Sequence, residues 1–226
     1  AEGANWRAEN MTLLLNGDAT RDAIWAALQR MATLSDADDL CLFFFSGHGT
    51  RGTDLAPIDE GGGRDEYLVE ADDERNIRDD ELAQWLADLP TRKFVGIIAS
   101  CYSGGMIKSA SVAAARGAKG LGSSEAGGGG LGEDLRRALA SNGPMNPLDL
   151  DDNGFGVVIT AADDHETCQE SDVLRHDVLV YYLLEGLKGA ADTNADGWIA
   201  AEEVYAFAAP RATEFNPSQH AQIYDA

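Results

Sequence analysis

"FFFSGHGT" (Phe43 to Thr50) and "VGIIASCYSGG" (Val95 to Gly105) share one construction: an apolar run that breaks into a small-residue turn carrying a single reactive side chain. The apolar runs, "LCLFFF" (Leu40 to Phe45) and "KFVGIIA" (Lys93 to Ala99), have the length and the lack of polar alternation of strands buried on both faces. Each hands the chain to a turn at its carboxyl end, and reactive groups gather at the carboxyl ends of parallel strands. His48 and Cys101 are therefore expected side by side, although they are far apart in the chain. A thiol with an ordinary pKa is only a few per cent thiolate at neutral pH, and a nearby imidazole can take its proton and later return one to a leaving amine. Gly47 and Gly49 flank His48, and Gly104 and Gly105 follow Cys101. Without side chains there, a peptide backbone can come close. The backbone N–H groups of Gly49 and Cys101 are the expected donors to an oxyanion.

Working outward from these two turns, short apolar runs alternate with amphipathic stretches, the pattern of an α/β fold on a mainly parallel sheet. Met11 to Leu15 and Phe155 to Ala161 read as two further strands. Asp18 or Thr20 is expected to cap a helix carrying Ile24, Leu28 and Met31, and Asp79 a helix carrying Leu82, Trp85, Leu86 and Leu89. Later helices are expected from Asp172 to Lys188 and from Ala201 onward. Residues 106–133 are rich in Gly, Ala and Ser, lack apolar periodicity and read as a mobile loop. No internal repeat is visible, and a chain of 226 residues with 44% hydrophobic content fits one domain spanning 1–226.

The net charge is −22, from 39 acidic and 17 basic residues. That field argues against nucleic-acid binding, which needs a basic footprint, and suits a calcium-rich setting or cationic peptides. No run reaches the length of a membrane span, and no signal peptide is visible, so a soluble protein of undefined compartment is expected. Three cysteines without a CxxC pair suggest neither a disulfide framework nor zinc. Cys41 reads as a core thiol, and Cys168, three residues after His165, as structural.

"DTNADGWIAAEE" (Asp192 to Glu203) matches the twelve-residue EF-hand loop position by position. Asp192, Asn194 and Asp196 take positions 1, 3 and 5, Gly197 the sharp turn, Trp198 the backbone-carbonyl position and Glu203 the closing bidentate position. Ile199 is expected to point inward, with water in the place of Ala200. The ion implied is Ca2+. "DLDDNGFG" (Asp149 to Gly156) starts in the same way but lacks the closing Glu and reads as a turn.

"SGHG" with "SCYSGG" resembles the caspase, metacaspase and paracaspase group of cysteine peptidases. The resemblance extends over nearly the whole chain, including "YLVEADDERNIRDDELAQWL" and "ITAADDHETCQES". It implies a caspase-like three-layer α/β/α sandwich, His48 and Cys101 as dyad, and an endopeptidase acting on polypeptides through a thioester. It also implies a second calcium site at Asp79 and Asp80 and cleavage between two halves, for which Lys108, Arg116, Lys119, Arg136 and Arg137 are the candidate self-cleavage positions. The chain departs from the family pattern in three places. The family's opening strand, which precedes the equivalent of Met11 to Leu15, is absent from this sequence. Ala99 stands where metacaspases carry the Asp that favours Arg or Lys at P1. Tyr102 replaces the usual His or Arg. A catalytically silent calcium-binding or interaction module is the alternative, and acyl transfer by the same dyad a third reading.

Overall fold

The computed structural model describes residues 6–53, 55, 64–72, 75–91, 93–103, 156–163 and 165–225. The Gly-rich segment 106–133, with Lys108, Arg116 and Lys119, the nearby Arg136 and Arg137, Gly104, Gly105 and the Asp149–Gly156 turn up to residue 155 lie outside the described residues.

A central sheet has the order β1-β5-β6-β9, with β1 at Cys41–Ser46, β5 at Phe94–Ala99, β6 at Val157–Thr160 and β9 at Gln222–Asp225. β1, β5 and β6 run parallel and β9 is antiparallel. Successive side chains leave a strand on opposite faces, and the two cores follow this alternation. Phe94, Ile98 and Val158 face α1 (Arg21–Leu34) and α2 (Asp79–Ala87), packing with Ile24, Leu28, Leu82 and Leu86. Ala99, Val157 and Ile159 face α3 (Val178–Glu185) and α4 (Ala201–Phe215), packing with Leu179, Leu183, Val204 and Ala208. The result is helices on both faces of a mainly parallel sheet, the expected three-layer sandwich.

Smaller elements complete it. β2 (Gly49–Arg51), β3 (Glu66–Leu68) and β4 (Ile77–Arg78) form an antiparallel sheet directly after His48. β7 (Glu170–Ser171) and β8 (His176–Asp177) form a hairpin that leads into α3.

Several expectations are corrected. Met11–Leu15 is not a strand: Met11, Leu13 and Leu15 are exposed, and only Leu14 packs on a core. An apolar run becomes a strand only where a neighbour supplies a ladder, and none does so here among the described residues. Thr20, not Asp18, caps α1, its Oγ1 accepting the Ala23 N–H at 3.3 Å. Asp79 is the first residue of α2, whose N-cap is Arg78. The helix expected from Asp172 begins at Val178, because residues 170–177 are spent on the hairpin and Asp177 caps the helix through the Val180 N–H at 3.0 Å. It ends at Glu185 and passes into a π-helical turn at Gly186–Ala190. Among the described residues, no helix is long and apolar enough to cross a membrane.

Candidate active site

The parallel register pairs Ser46 with Ala99, so β1 and β5 end level with one another. The Gly47 N–H donates to the Ala99 carbonyl at 3.1 Å and extends the match one residue past the strand. The two turns then lie against each other. A Cβ at Gly49 would fall 2.2 Å from the Cys101 carbonyl oxygen, so no other residue fits without moving the Cys101 backbone. This is the physical reason for glycine after His48.

The ladder between β2 and β3 decides which way the Gly49 amide points. Val69 N–H donates to His48 O at 3.0 Å and Gly52 N–H to Asp65 O at 2.9 Å. In an antiparallel ladder hydrogen-bonded positions alternate. Gly49, opposite Leu68, is thus at a non-hydrogen-bonded position, and its N–H is left over from the ladder on the side away from β3.

His48 itself is exposed, and its imidazole makes no hydrogen bond among the described residues. Cys101 is half-buried, and its thiol donates to the Cys168 carbonyl at 3.8 Å rather than to His48. The turn is anchored on its far side. Tyr102 is in the left-handed region, at φ 60°, and its N–H donates to Glu166 O at 2.9 Å. Ser103 is fully buried, and its hydroxyl receives the Ala162 N–H at 3.4 Å beyond the end of β6. The Arg51 guanidinium lies over the Tyr102 ring, 4.3 Å from its centroid, with Nη1 3.3 Å from His165 Nδ1. Beside the carboxyl end of β1, Phe44, Ser46, Glu170, Asp172, Arg175 and Asp177 are among the residues that line a groove.

A second cluster sits one strand away from His48. Asp65, just before β3, and Asp79 and Asp80, at the start of α2, offer carboxylate oxygens that all lie within 4.8 Å of one another. Asp79 has no exposure, and neither of its oxygens meets a donor at hydrogen-bonding geometry; Asp65 Oδ1 is in the same position. Burial first, then the charges of Glu66 and Asp80, push the Asp79 carboxyl up to about 8, with the Asp80 amide offsetting this in part. Arg78 compensates the cluster at its rim, 3.4 Å from Asp65 and 3.3 Å from Asp80. Asp79, enclosed without a well-placed donor beside the carboxylates of Asp65 and Asp80, fits a hard cation that takes oxygen ligands. The sequence pointed to Asp79 and Asp80; Asp65 comes from the β3 end and carries no signal of its own.

The loop 192–203 is shaped differently. Asp192 Oδ2 accepts the Gly197 N–H at 3.1 Å, Asn194 Oδ1 the Asp196 N–H at 2.8 Å and Asp196 Oδ1 the Trp198 N–H at 2.8 Å. Glu203 accepts from the amides of Thr193 and Ala200, each at 3.1 Å. These bonds, that from Ala200 foremost, hold its carboxyl below the ordinary range. Ile199 packs on the core shared with α4, as expected, and Trp198 is 75% exposed. Asp192, Asp196 and Glu203 do not converge as the buried trio does. One oxygen, Asp192 Oδ1, is enclosed without a hydrogen bond, so the donor set still suits Ca2+.

Residues 6–110 match the family described as metacaspase, peptidase C14 domain. The fold is similar to a crystal structure of a protein from Geobacter sulfurreducens, a structural genomics target, at 20% identity and a TM-score of 0.57, covering 95% of this chain and 76% of that one. That likeness is one of fold alone. No protein of curated function matches the chain. The matched segment 6–110, a little under half of the chain, holds both His48 and Cys101, and in that segment the chain is similar to the metacaspase peptidase C14 domain.

Proposed function

We propose that this chain is a cysteine endopeptidase in which Cys101 attacks the scissile carbonyl and His48 moves the proton. The observation that carries this reading is the packing of Gly49 on the Cys101 carbonyl, with the Gly49 N–H left over from its ladder. The imidazole takes the thiol proton and delivers it to the leaving amine, giving a thioester that water then hydrolyses. The Gly49 and Cys101 amides stabilise the oxyanion. Rotation of the Cys101 side chain from Cys168 O toward His48 precedes attack, in keeping with catalytic hydrogen bonds that tighten only in the substrate complex.

Calcium belongs to the same reading. Asp65, Asp79 and Asp80 would hold the ion, and the loop 192–203 is a second candidate through Asp192, Asn194, Asp196, Trp198 and Glu203. An ion at the trio neutralises buried carboxylates on β3 and α2, and β3 is bonded to His48 through Val69. A preference for Arg or Lys at P1 is also part of the reading. With Ala99 in place of the family's Asp, Glu170 and Asp172 in the groove beside β1 supply negative charge.

The test is hydrolysis of fluorogenic peptides with Arg, Lys, Asp or Asn at P1, with calcium or chelator, against Cys101→Ala. The expected result is calcium-dependent release after a basic residue, reduced at least ~1,000-fold in the variant. Equal turnover by Cys101→Ala would remove the nucleophile from this reading. Silence of the folded wild type toward all peptides would favour the alternative, a calcium-binding module without catalysis, which Ala99 supports.

A further inference from the structure

Cys168 has no part in the chemistry above, yet it lies between a buried carboxylate and the nucleophile. Asp177, 5% exposed, receives the Cys168 S–H on Oδ2 at 2.5 Å and the Val180 N–H on Oδ1 at 3.0 Å. Burial, reinforced by Asp177, drives the Cys168 thiol far above its ordinary range, so it is a neutral donor and a poor nucleophile. The backbone carbonyl of the same residue is the acceptor for the Cys101 thiol. The next residue is pinned as well: Gln169 N–H donates to Gln219 Oε1 at 3.1 Å, and Gln169 O accepts the Val178 N–H at 3.2 Å. The side-chain bond from Cys168 to Asp177 therefore joins the loop above Cys101 to the amino end of α3.

We propose that Asp177 and Cys168 are a positioning pair for the nucleophile: their part-buried bond fixes the Cys168 carbonyl as the acceptor that holds the resting Cys101 thiol. A hydrogen bond made by the protonated form disfavours ionisation. The pair thus restrains the thiol where no substrate is present, and an approaching imidazole has to win the proton from a weak S–H···O contact. The other titratable or charged groups around Cys101 are His48, before Gly49, and Tyr102 with Arg51 over its ring and His165 beside that guanidinium. Glu170 acts on the Cys168 side. None of these is altered by the substitutions below. The proposal rests on the reading of Cys101 as nucleophile.

The experiment is the pH profile of Cys101 alkylation by iodoacetamide in the full chain without substrate, read by mass on the Cys101 peptide so that Cys41 and Cys168 are counted separately. Cys168→Ala is expected to react roughly two- to fivefold faster at neutral pH, the worth of one weak hydrogen bond, with its profile displaced to lower pH. Cys168→Ser keeps a donor for Asp177 and is expected to follow the wild type. Asp177→Asn keeps an acceptor for the Val180 N–H but turns an amide toward the thiol, and is expected to accelerate alkylation like Cys168→Ala. It serves as the second variant should Cys168→Ala open the fold, which faster alkylation of buried Cys41 would reveal. Profiles of Cys168→Ala and Asp177→Asn that superimpose on the wild type overturn the proposal, as does an equal shift in Cys168→Ser. The readout needs no peptide turnover. A shifted profile in a protein that cleaves nothing keeps the positioning pair and removes the peptidase reading; turnover with an unshifted profile does the reverse.

Discussion

Asp79, at the start of α2, is enclosed with both oxygens lacking a well-placed donor, whereas Glu203, at the start of α4, sits at the surface with the amides of Thr193 and Ala200 turned onto it. Both are acids in the first turn of a helix, where the dipole favours negative charge. Their titration nevertheless departs in opposite directions, upward for Asp79 and downward for Glu203. The difference lies in who solvates the carboxylate. Glu203 is solvated by its own loop and needs nothing more. Asp79 is deprived of water, faces Asp65, Asp80 and Glu66, and is relieved only by a proton or a cation. An acidic motif in sequence records ligands; burial decides whether leaving them empty has a cost.

The largest effect that sharpens this contrast is one of pH. Asp79 has a folded pKa of about 8 against an ordinary 3.8. The folded state therefore binds a proton that the unfolded state has already lost, and its relative advantage is complete below about pH 4 and gone once pH has passed about 8. In chelator, unfolding free energy should fall between those limits by up to roughly 5 kcal/mol, at about 1.4 kcal/mol per unit. Asp79→Asn should flatten that slope. Urea melts of both proteins across the range would check it, and parallel slopes would break the contrast. Next in size is the response to calcium. A ligand at a hundred times its Kd adds about 2.7 kcal/mol, so the wild type should gain several degrees in Tm. Asp79→Ala should lose most of that gain in thermal melts with and without the ion. The smallest effect belongs to the surface loop. Glu203→Gln removes a charge and keeps an acceptor for only one of the two amides, and should lower the chemical-denaturation midpoint in chelator less than either change above. If Glu203→Gln abolishes the calcium response while Asp79→Ala spares it, the roles of the two regions are reversed.

Much of the candidate site's framework was legible because its signals are local. The buried strands β1 and β5, the turns that follow them and the glycine beside His48 are all written in contiguous residues. What could not be read depends on partners distant in the chain. Asp65 is an ordinary acid until α2 brings Asp79 and Asp80 to it. Cys168 is an ordinary half-buried thiol until the hairpin of β7 and β8 sets Asp177 against it and Cys101 beneath it. The strands of the small sheets are two or three residues long, too short for an alternation to register. Met11 to Leu15 shows the converse error, an apolar run read as a strand where no ladder receives it.

Trp198 has an optical consequence. Of the four tryptophans, Trp25 and Trp85 meet in a tilted contact with centroids 4.9 Å apart, and Arg21 lies over the Trp85 ring, so their emission reports on the packing of α1 against α2. The Trp198 indole stands in solvent at the seventh position of the loop 192–203. The chain thus holds an indole pair between α1 and α2 and an exposed indole in its surface loop, and iodide quenches Trp198, together with the exposed Trp6, more readily than Trp85.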